Sequence, residues 1–204
     1  SDKVLSALPN EARLLLHRDS SGVAVFEGLS STRARALLSL GHHKELVVFV
    51  EDDFAKILLS EMIRKIDPTL LRAVSIEGVG DTRAVRNAVM LMSHIGRKSV
   101  AVRDADIGPD VENGIFSFPG KMAPEKEVYY NEVVKGFLND EFSIDIDNEV
   151  ALQSIDDHHG LTEGLSSAAN AFPDYFRTIA INKYIEDIGV DEYKDLVDEI
   201  SKRA

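Results

Sequence analysis

The 204-residue sequence has no cysteine, which excludes disulfide bonds and zinc sites built from thiolates. It also has no apolar run approaching the roughly 20 residues that a membrane-spanning helix needs. The start of the chain, SDKVLSALPNEARLLL, is polar and irregular, which is not the pattern of a signal peptide. We therefore expect a cytoplasmic protein that has no membrane partner.

Positive charge is the scarcer sign in this sequence. The 23 Lys and Arg residues are outnumbered by 35 Asp and Glu residues, and the net charge is −12. This balance argues against a protein that binds nucleic acid non-specifically over much of its surface. It does not exclude a nuclease, because catalytic carboxylates that metal ions offset account for part of the negative charge.

Three apolar runs separated by helical patterns predict a βαβαβ unit. The runs are LVVFV at 46–50, LRAVSI at 71–76 and the start of SVAVRDAD at 99–106. Residues 53–66 and 82–95 carry apolar side chains at helical spacing and connect the three strands. The predicted fold class is therefore α/β, with a mostly parallel central sheet.

Further elements flank this unit. Residues 12–19 and 22–29 predict a β-hairpin, and residues 31–41 predict a helix. GIFSFPG at 114–120 predicts a fourth strand, and residues 124–138 predict one helix that starts with a proline. From about residue 139 the sequence is polar and helical, which indicates four more helices appended to the α/β core.

Acidic residues follow the first and third predicted strands. Glu51 comes directly after the first, and Asp104 and Asp106 end the third. Because ligands bind beyond the carboxyl ends of parallel strands, these three side chains should converge at one edge of the sheet. Carboxylates without a close basic partner repel one another, and a hard divalent cation relieves that repulsion. The pattern predicts a Mg²⁺-type site for phosphate chemistry.

Several other residues are candidates for the same site. Asp52 or Asp53 is expected to cap the following helix, and the alternative is a second metal ligand. Glu125 is either a ligand or a first-turn acid that favours the helix dipole. The unusual DDHHG segment offers Asp157. Lys183, in an otherwise apolar helix, either extends its amine to solvent or reaches a phosphate at the metal site.

These motifs resemble a known fold. An acid after the first strand, Asp-x-Asp after the third and a glycine turn between them resemble a Toprim domain, which occurs in topoisomerases, primases, recombination proteins and OLD (overcoming lysogenization defect) nucleases. The order VEDDFAKILLSEMI, SIEGVGDTRAV, SVAVRDADIGP and FSFPGKMAPEKEVYYN is most similar to group-two OLD proteins. The resemblance covers residues 45–138 well and the helical remainder loosely.

The resemblance implies a DNA endonuclease or nickase that uses two Mg²⁺ or Mn²⁺ ions. It assigns Glu51, Asp104 and Asp106 to metal and matches the catalytic lysine of the family to Lys183. Many Toprim proteins have glycine after the first acid and a second acid four positions on, where this chain has Asp52 and Ala55. The second acidic ligand is therefore expected from Asp52, from Glu125 or from the DDHH region with Asp157.

The resemblance also implies how the chain is organised. OLD proteins carry an ABC-type ATPase ahead of the Toprim region, yet this sequence has no Walker A pattern. We therefore expect a fragment of a larger phage-defence ATPase-nuclease, with 1–44 as a connecting segment or ATPase tail, 45–138 as the Toprim core and 139–204 as a helical subdomain. Its implied partners are DNA, the ATPase region, a helicase and a second copy of the chain.

Two other functions stay open. A HAD-like Mg²⁺-dependent phosphatase also places Asp-x-Asp after a strand, but on the first strand of its core, and a covalent phosphate on Asp104 would favour it. A degenerate Toprim module for regulation or dimerisation would bind no metal. A topoisomerase is disfavoured, because none of the five tyrosines lies in a recognisable nucleophile motif.

Overall fold

The computed structural model describes residues 7–19, 22–28, 44, 46–155 and 157–204. Near the start of the chain, β1 (Leu14–Asp19) and β2 (Gly22–Glu27) pair in an antiparallel hairpin. The predicted hairpin is thus confirmed. The predicted helix at 31–41 lies outside the described residues.

The central sheet has four strands, all of them parallel. They are β3 (Leu46–Val50), β4 (Val74–Gly78), β5 (Ser99–Arg103) and β6 (Ile115–Ser117). Their order across the sheet is β4-β3-β5-β6, which places β3 and β5 side by side in the middle. The predicted α/β class with a parallel sheet is confirmed.

Helices cover both faces of the sheet and form all the regular structure that is described after β6, apart from one short 3₁₀ turn. The four helices predicted after residue 139 are present as the last four of the set. In the described ranges, no helix is both long enough and apolar enough to cross a membrane. The helices are α1 (Asp53–Ile66), α2 (Leu70–Ala73), α3 (Thr82–His94), α4 (Pro124–Tyr129), α5 (Glu132–Phe142), α6 (Ile146–Gln153), α7 (Leu161–Ala168), α8 (Pro173–Ile188) and α9 (Asp191–Arg203).

The second strand begins three residues later than the sequence predicted. Residues 71–73 belong to the short helix α2, and β4 starts only at Val74. The carboxylate of Asp67 accepts a hydrogen bond from the Thr69 backbone N–H at 3.0 Å, which starts a turn around Pro68. Leu70 and Ala73, one helical turn apart, are then both buried.

The single helix predicted over 124–138 is in fact two helices, α4 and α5. Asn131 separates them, because its side chain accepts hydrogen bonds from the backbone N–H groups of Val133 and Val134 at 2.9 and 3.0 Å. This is an N-cap, and it starts a new helix. The break leaves α4 as a short helix beside the end of the sheet.

One hydrophobic core joins a face of the sheet to the C-terminal helices. Val48 of β3 and Val100 of β5 are buried in it. Tyr129 of α4 lies between Phe54 of α1 and Phe176 of α8, with ring centroids 5.7 and 5.9 Å apart. The helical part is therefore packed directly on the α/β core. The boundary at 138/139 stays a prediction from the sequence.

The opposite face of the sheet has a smaller core. Alternate residues of a strand point to opposite faces, and Phe49, Ala101 and Ile115 point to this one. Val85 and Val89 of α3 cover them. Because both faces of the sheet are covered, its strands are continuously apolar, as is typical of parallel sheets.

Candidate metal centre at the sheet edge

Glu51 is the first residue after β3, and its position is fixed by the glycine turn that follows β4. The backbone N–H groups of Val79 and Gly80 donate to the carbonyl oxygens of Val50 and Glu51 at 3.0 and 2.8 Å. The Thr82 hydroxyl donates to Glu51 Oε1 at 2.9 Å. The Glu51 carboxylate is thereby held at the carboxyl end of the sheet.

Gly80 is the residue of this turn that should tolerate substitution least. Its φ of +108° is a conformation that residues with a side chain rarely adopt. Gly80→Ala should lower the free energy of unfolding by about 1–3 kcal/mol, because the strained backbone persists in the folded state. Urea unfolding measures this change.

Gly136 provides the matched control for this substitution. It lies inside α5, where a new Cβ would meet nothing within 4 Å. Gly136→Ala should leave stability unchanged or raise it by up to about 1 kcal/mol, since alanine favours helix. Equal effects of the two substitutions would contradict the role assigned to the turn.

Asp104 follows β5 and is only 9 % exposed. Its backbone N–H approaches Glu51 Oε1 at 3.5 Å, so the ends of β3 and β5 meet there. Burial and then the negative charges of Glu51, Asp52 and Asp106, in that order, together raise the pKa of Asp104 to about 7. The structure therefore brings together Glu51, Asp104 and Asp106, with Asp106 on the exposed side.

Asp52 lies between the carboxylates of Glu51, Asp104 and Asp106 and a second cluster, which contains Glu125 and His159. Its Oδ1 accepts a hydrogen bond from the Ala55 backbone N–H at 2.9 Å, so Asp52 is the N-cap of α1. This confirms the predicted cap. Its other oxygen, Oδ2, lies 3.3 Å from Nδ1 of His159, which faces the site from a distant part of the chain. Asp52 can therefore cap the helix with one oxygen and offer the other as a ligand.

Glu125 belongs to the second cluster. It lies in the first turn of α4, is 4 % exposed, and places Oε1 at 3.7 Å from His159 Nδ1. Burial first, and then the charge of the neighbouring Asp52 carboxylate, raise the pKa of Glu125 to about 9. A buried carboxyl beside another carboxylate is costly to ionise unless a cation accompanies it.

A cleft of about 270 Å³ opens beside these side chains. A second groove, of about 510 Å³, shares Asp53 and Arg177 with it. The cleft combines acidic groups with an imidazole, a hydroxyl and one guanidinium. Its lining consists of Asp52, Asp53, Phe54, Glu125, His159, Thr162, Glu163 and Arg177.

Arg177 is the cation of this cleft, and it was not among the residues predicted for the site. Its side chain is 17 % exposed and donates from Nη2 to Asp174 Oδ1 at 2.7 Å. Within the described residues, its buried Nε has no hydrogen-bond partner. The signal that drew attention to Lys183, a cation within the apolar stretch of one helix, applies equally to Arg177.

Lys183 lies on a different side of α8. Its Nζ is 5.8 Å from the centre of the Phe137 ring, and it is half-buried. Lys183 is six positions after Arg177, so at 3.6 residues per turn the two side chains point about 120° apart. Lys183 is not among the residues that line the cleft.

Asp157 lies beside the cleft rather than in its lining. It is exposed, and its Oδ1 accepts from the His159 backbone N–H at 3.2 Å at the start of the 3₁₀ turn His158–Gly160. The same oxygen lies 3.3 Å from His158 Nδ1. Its contacts therefore hold the two histidines. Asp156 lies outside the described residues.

The donor atoms at the sheet edge suit a divalent metal ion. Glu51, Asp104 and Asp106 offer carboxylate oxygens, which hard cations such as Mg²⁺ and Mn²⁺ prefer. Asp52 and Glu125 add oxygens a short distance away. Repulsion and burial disfavour ionisation of Asp104 and Glu125, so the ionised set requires positive charge beside it.

No family model and no curated protein matches the chain. Among solved structures, it is similar to the C-terminal region of the OLD protein of Xanthomonas campestris pv. campestris. The two are 14 % identical with a TM-score of 0.50, and the match covers 82 % of this chain and 95 % of that one. The resemblance drawn from the motifs is thus confirmed at the level of the fold.

Proposed function

We propose that the chain is a metal-dependent nuclease that hydrolyses phosphodiester bonds in DNA. The observation that supports this most directly is the meeting of Glu51 and the buried Asp104 at the carboxyl ends of the adjacent strands β3 and β5. Ligands of open parallel sheets bind at this edge. The likeness of the fold to an OLD C-terminal region agrees with this proposal.

We assign two metal positions to the site. Glu51, Asp104 and Asp106 would hold one ion, and Asp52 and Glu125 would provide oxygens for a second. Divalent ions held at these positions would supply an activated water and offset the charge that develops on the phosphate and the leaving oxygen. The chain positions the ligands in advance, since Thr82 fixes Glu51 and the first turn of α1 fixes Asp52.

Arg177 would act on the substrate from the wall of the cleft. Arg177 lines the cleft, and a guanidinium there can donate to a phosphate oxygen and stabilise the charge of the transition state. The net charge of −12 gives little general attraction to DNA. We therefore assign most DNA engagement to partners, namely an ATPase region of the same protein, a helicase or a second copy of the chain.

Incubation with supercoiled plasmid tests this function. With Mg²⁺ or Mn²⁺ the plasmid should be nicked or cut, and with EDTA it should stay intact. Full cleavage in EDTA would refute the metal mechanism. No cleavage, together with no heat of Mg²⁺ binding, would favour a regulatory module instead. A covalent phosphate trapped on Asp104 would favour the HAD-like phosphatase.

The role of Arg177 predicts a difference between two cations of the same helix. Arg177→Gln should lower the cleavage rate by about 100-fold to 1,000-fold, which is typical of one electrostatic group. Lys183→Gln should lower it much less, because Lys183 packs against Phe137. Single-turnover plasmid cleavage measures both rates, and Mg²⁺ calorimetry checks that metal affinity is retained. A larger loss of rate in Lys183→Gln than in Arg177→Gln would mean that Lys183, and not Arg177, is the catalytic cation.

A further inference from the structure

Two adjacent histidines lie against the buried Glu125 at one side of the cleft. His158 and His159 belong to the 3₁₀ turn His158–Gly160, and their ring centroids are 4.0 Å apart. Glu125, His158 and His159 each offer one ligand atom, and these three atoms lie within 4.8 Å of one another. They come from α4 and from a turn more than 30 residues later, so the fold has assembled them.

A carboxylate orients the His158 ring in the way that is usual for a metal ligand. Metal-bound histidines usually direct their other ring nitrogen to a carboxylate or a carbonyl. The Asp157 carboxylate lies 3.3 Å from Nδ1 of His158 in this way, which leaves Nε2 available. Nδ1 of His159 faces the Asp52 and Glu125 carboxylates at 3.3 and 3.7 Å.

The ligand chemistry differs from that of the strand-edge carboxylates. Glu51, Asp104 and Asp106 present oxygen alone, which suits Mg²⁺. Two imidazoles and one carboxylate form a mixed nitrogen and oxygen set, which suits Zn²⁺, Mn²⁺ and neighbouring transition metals better than Mg²⁺. Three protein ligands of this kind also leave a coordination position open to water or substrate, as in catalytic zinc sites.

We propose that Glu125, His158 and His159, with Asp52 at their edge, form a transition-metal site that selects Zn²⁺ or Mn²⁺ over Mg²⁺. The site opens to the cleft that Arg177 lines. A role for this site in catalysis rests on the proposed function, because these residues would be the ligands of the second metal position assigned above. Asp157 then acts as a positioning residue that orients His158.

Zn²⁺ titration of the ¹⁵N-labelled chain, followed through the imidazole nitrogens by NMR, tests the site without any substitution. The His158 and His159 signals should shift together and saturate at one equivalent of Zn²⁺, while millimolar Mg²⁺ should leave them in place. The reference is His94, which is exposed at the end of α3. Shifts of His158 and His159 no larger than those of His94 would overturn the proposal.

Substitutions then measure the contribution of each ligand by calorimetry. His158→Ala and His159→Ala should each weaken Zn²⁺ binding by at least about 100-fold, because each removes a ligand outright. Asp157→Asn should weaken it less, by about 10-fold, as expected of an orienting partner. His94→Ala should bind like the unaltered chain. Full Zn²⁺ affinity in the two histidine variants would refute the site.

A failure of this site and a failure of the nuclease function can be told apart. Glu51→Gln removes a strand-edge ligand, so it should abolish plasmid cleavage yet keep the Zn²⁺ shifts of His158 and His159. Zn²⁺ binding by a chain that never cleaves DNA would refute the nuclease alone. Mg²⁺-supported cleavage by a chain whose histidines ignore Zn²⁺ would refute the histidine site alone.

Discussion

Asp104→Asn is expected to abolish metal-dependent plasmid cleavage, with a loss of at least about 1,000-fold in rate. Asp104 is buried where the ends of β3 and β5 meet, and asparagine keeps its shape while removing its charge. A neutral amide at this position binds a divalent cation more weakly than a carboxylate. Plasmid cleavage in Mg²⁺ measures the loss, and circular dichroism checks that the fold is retained.

Glu51→Gln should give a similar loss, because Glu51 faces Asp104 across the same edge. The control is Asp140→Asn, which makes the same substitution at an exposed aspartate on α5. This variant should cleave at the rate of the unaltered chain. If Asp104→Asn keeps more than a tenth of the original rate, Asp104 is not a primary metal ligand.

The strand-edge acids could be predicted from the sequence because the signals for their positions are local. Continuous apolar runs mark the parallel strands, and the residue after each run must lie at the carboxyl edge. Glu51 and Asp104 therefore follow from strand position alone. The glycine turn is equally local, since Gly80 adopts a positive φ that favours glycine.

The second half of the site depends on packing that no local pattern reveals. His159 reaches Asp52 and Glu125 only because the turn at 158–160 packs beside α4 and the start of α1. Those contacts join residues more than 30 and 100 positions apart. The sequence could mark the DDHH segment as unusual, but it could not show that His159 rather than Asp157 faces the carboxylates.

Whether Arg177 or Lys183 can act as the catalytic cation depends on the side of helix α8 on which each residue lies. Both are cations in the apolar stretch of one helix, so composition does not separate them. The positions that face the core do separate them, since Phe176, Ala180 and Tyr184 are buried along one side of α8. Arg177 is next to Phe176 and opens to the cleft, whereas Lys183 contacts Phe137. The direction of this helix relative to the sheet edge had to be seen in three dimensions.

Without metal, the stability that Asp104 and Glu125 contribute should fall as the pH rises. The folded-state pKa values of these carboxyls are raised, to about 7 and about 9, above those of the unfolded chain. The folded protein therefore keeps protons that the unfolded chain has lost. The free energy of unfolding decreases as the pH rises from about 4 to the folded-state pKa values of about 7 and about 9. Below about pH 4 both states are protonated, and the penalty is absent.

Asp104→Asn isolates this effect, because asparagine carries no charge at any pH. In EDTA, the variant should gain stability relative to the unaltered chain as the pH rises from 5 to 8, by on the order of 3 kcal/mol. Urea unfolding at each pH measures the difference, and Asp140→Asn should show no such gain. Millimolar Mg²⁺ should reverse the order at pH 8, since the ion binds the ionised carboxylates of the folded state and stabilises it. A stability difference that stays constant from pH 5 to 8 would mean that Asp104 is ionised throughout, and that repulsion among these carboxylates does not create the demand for a metal.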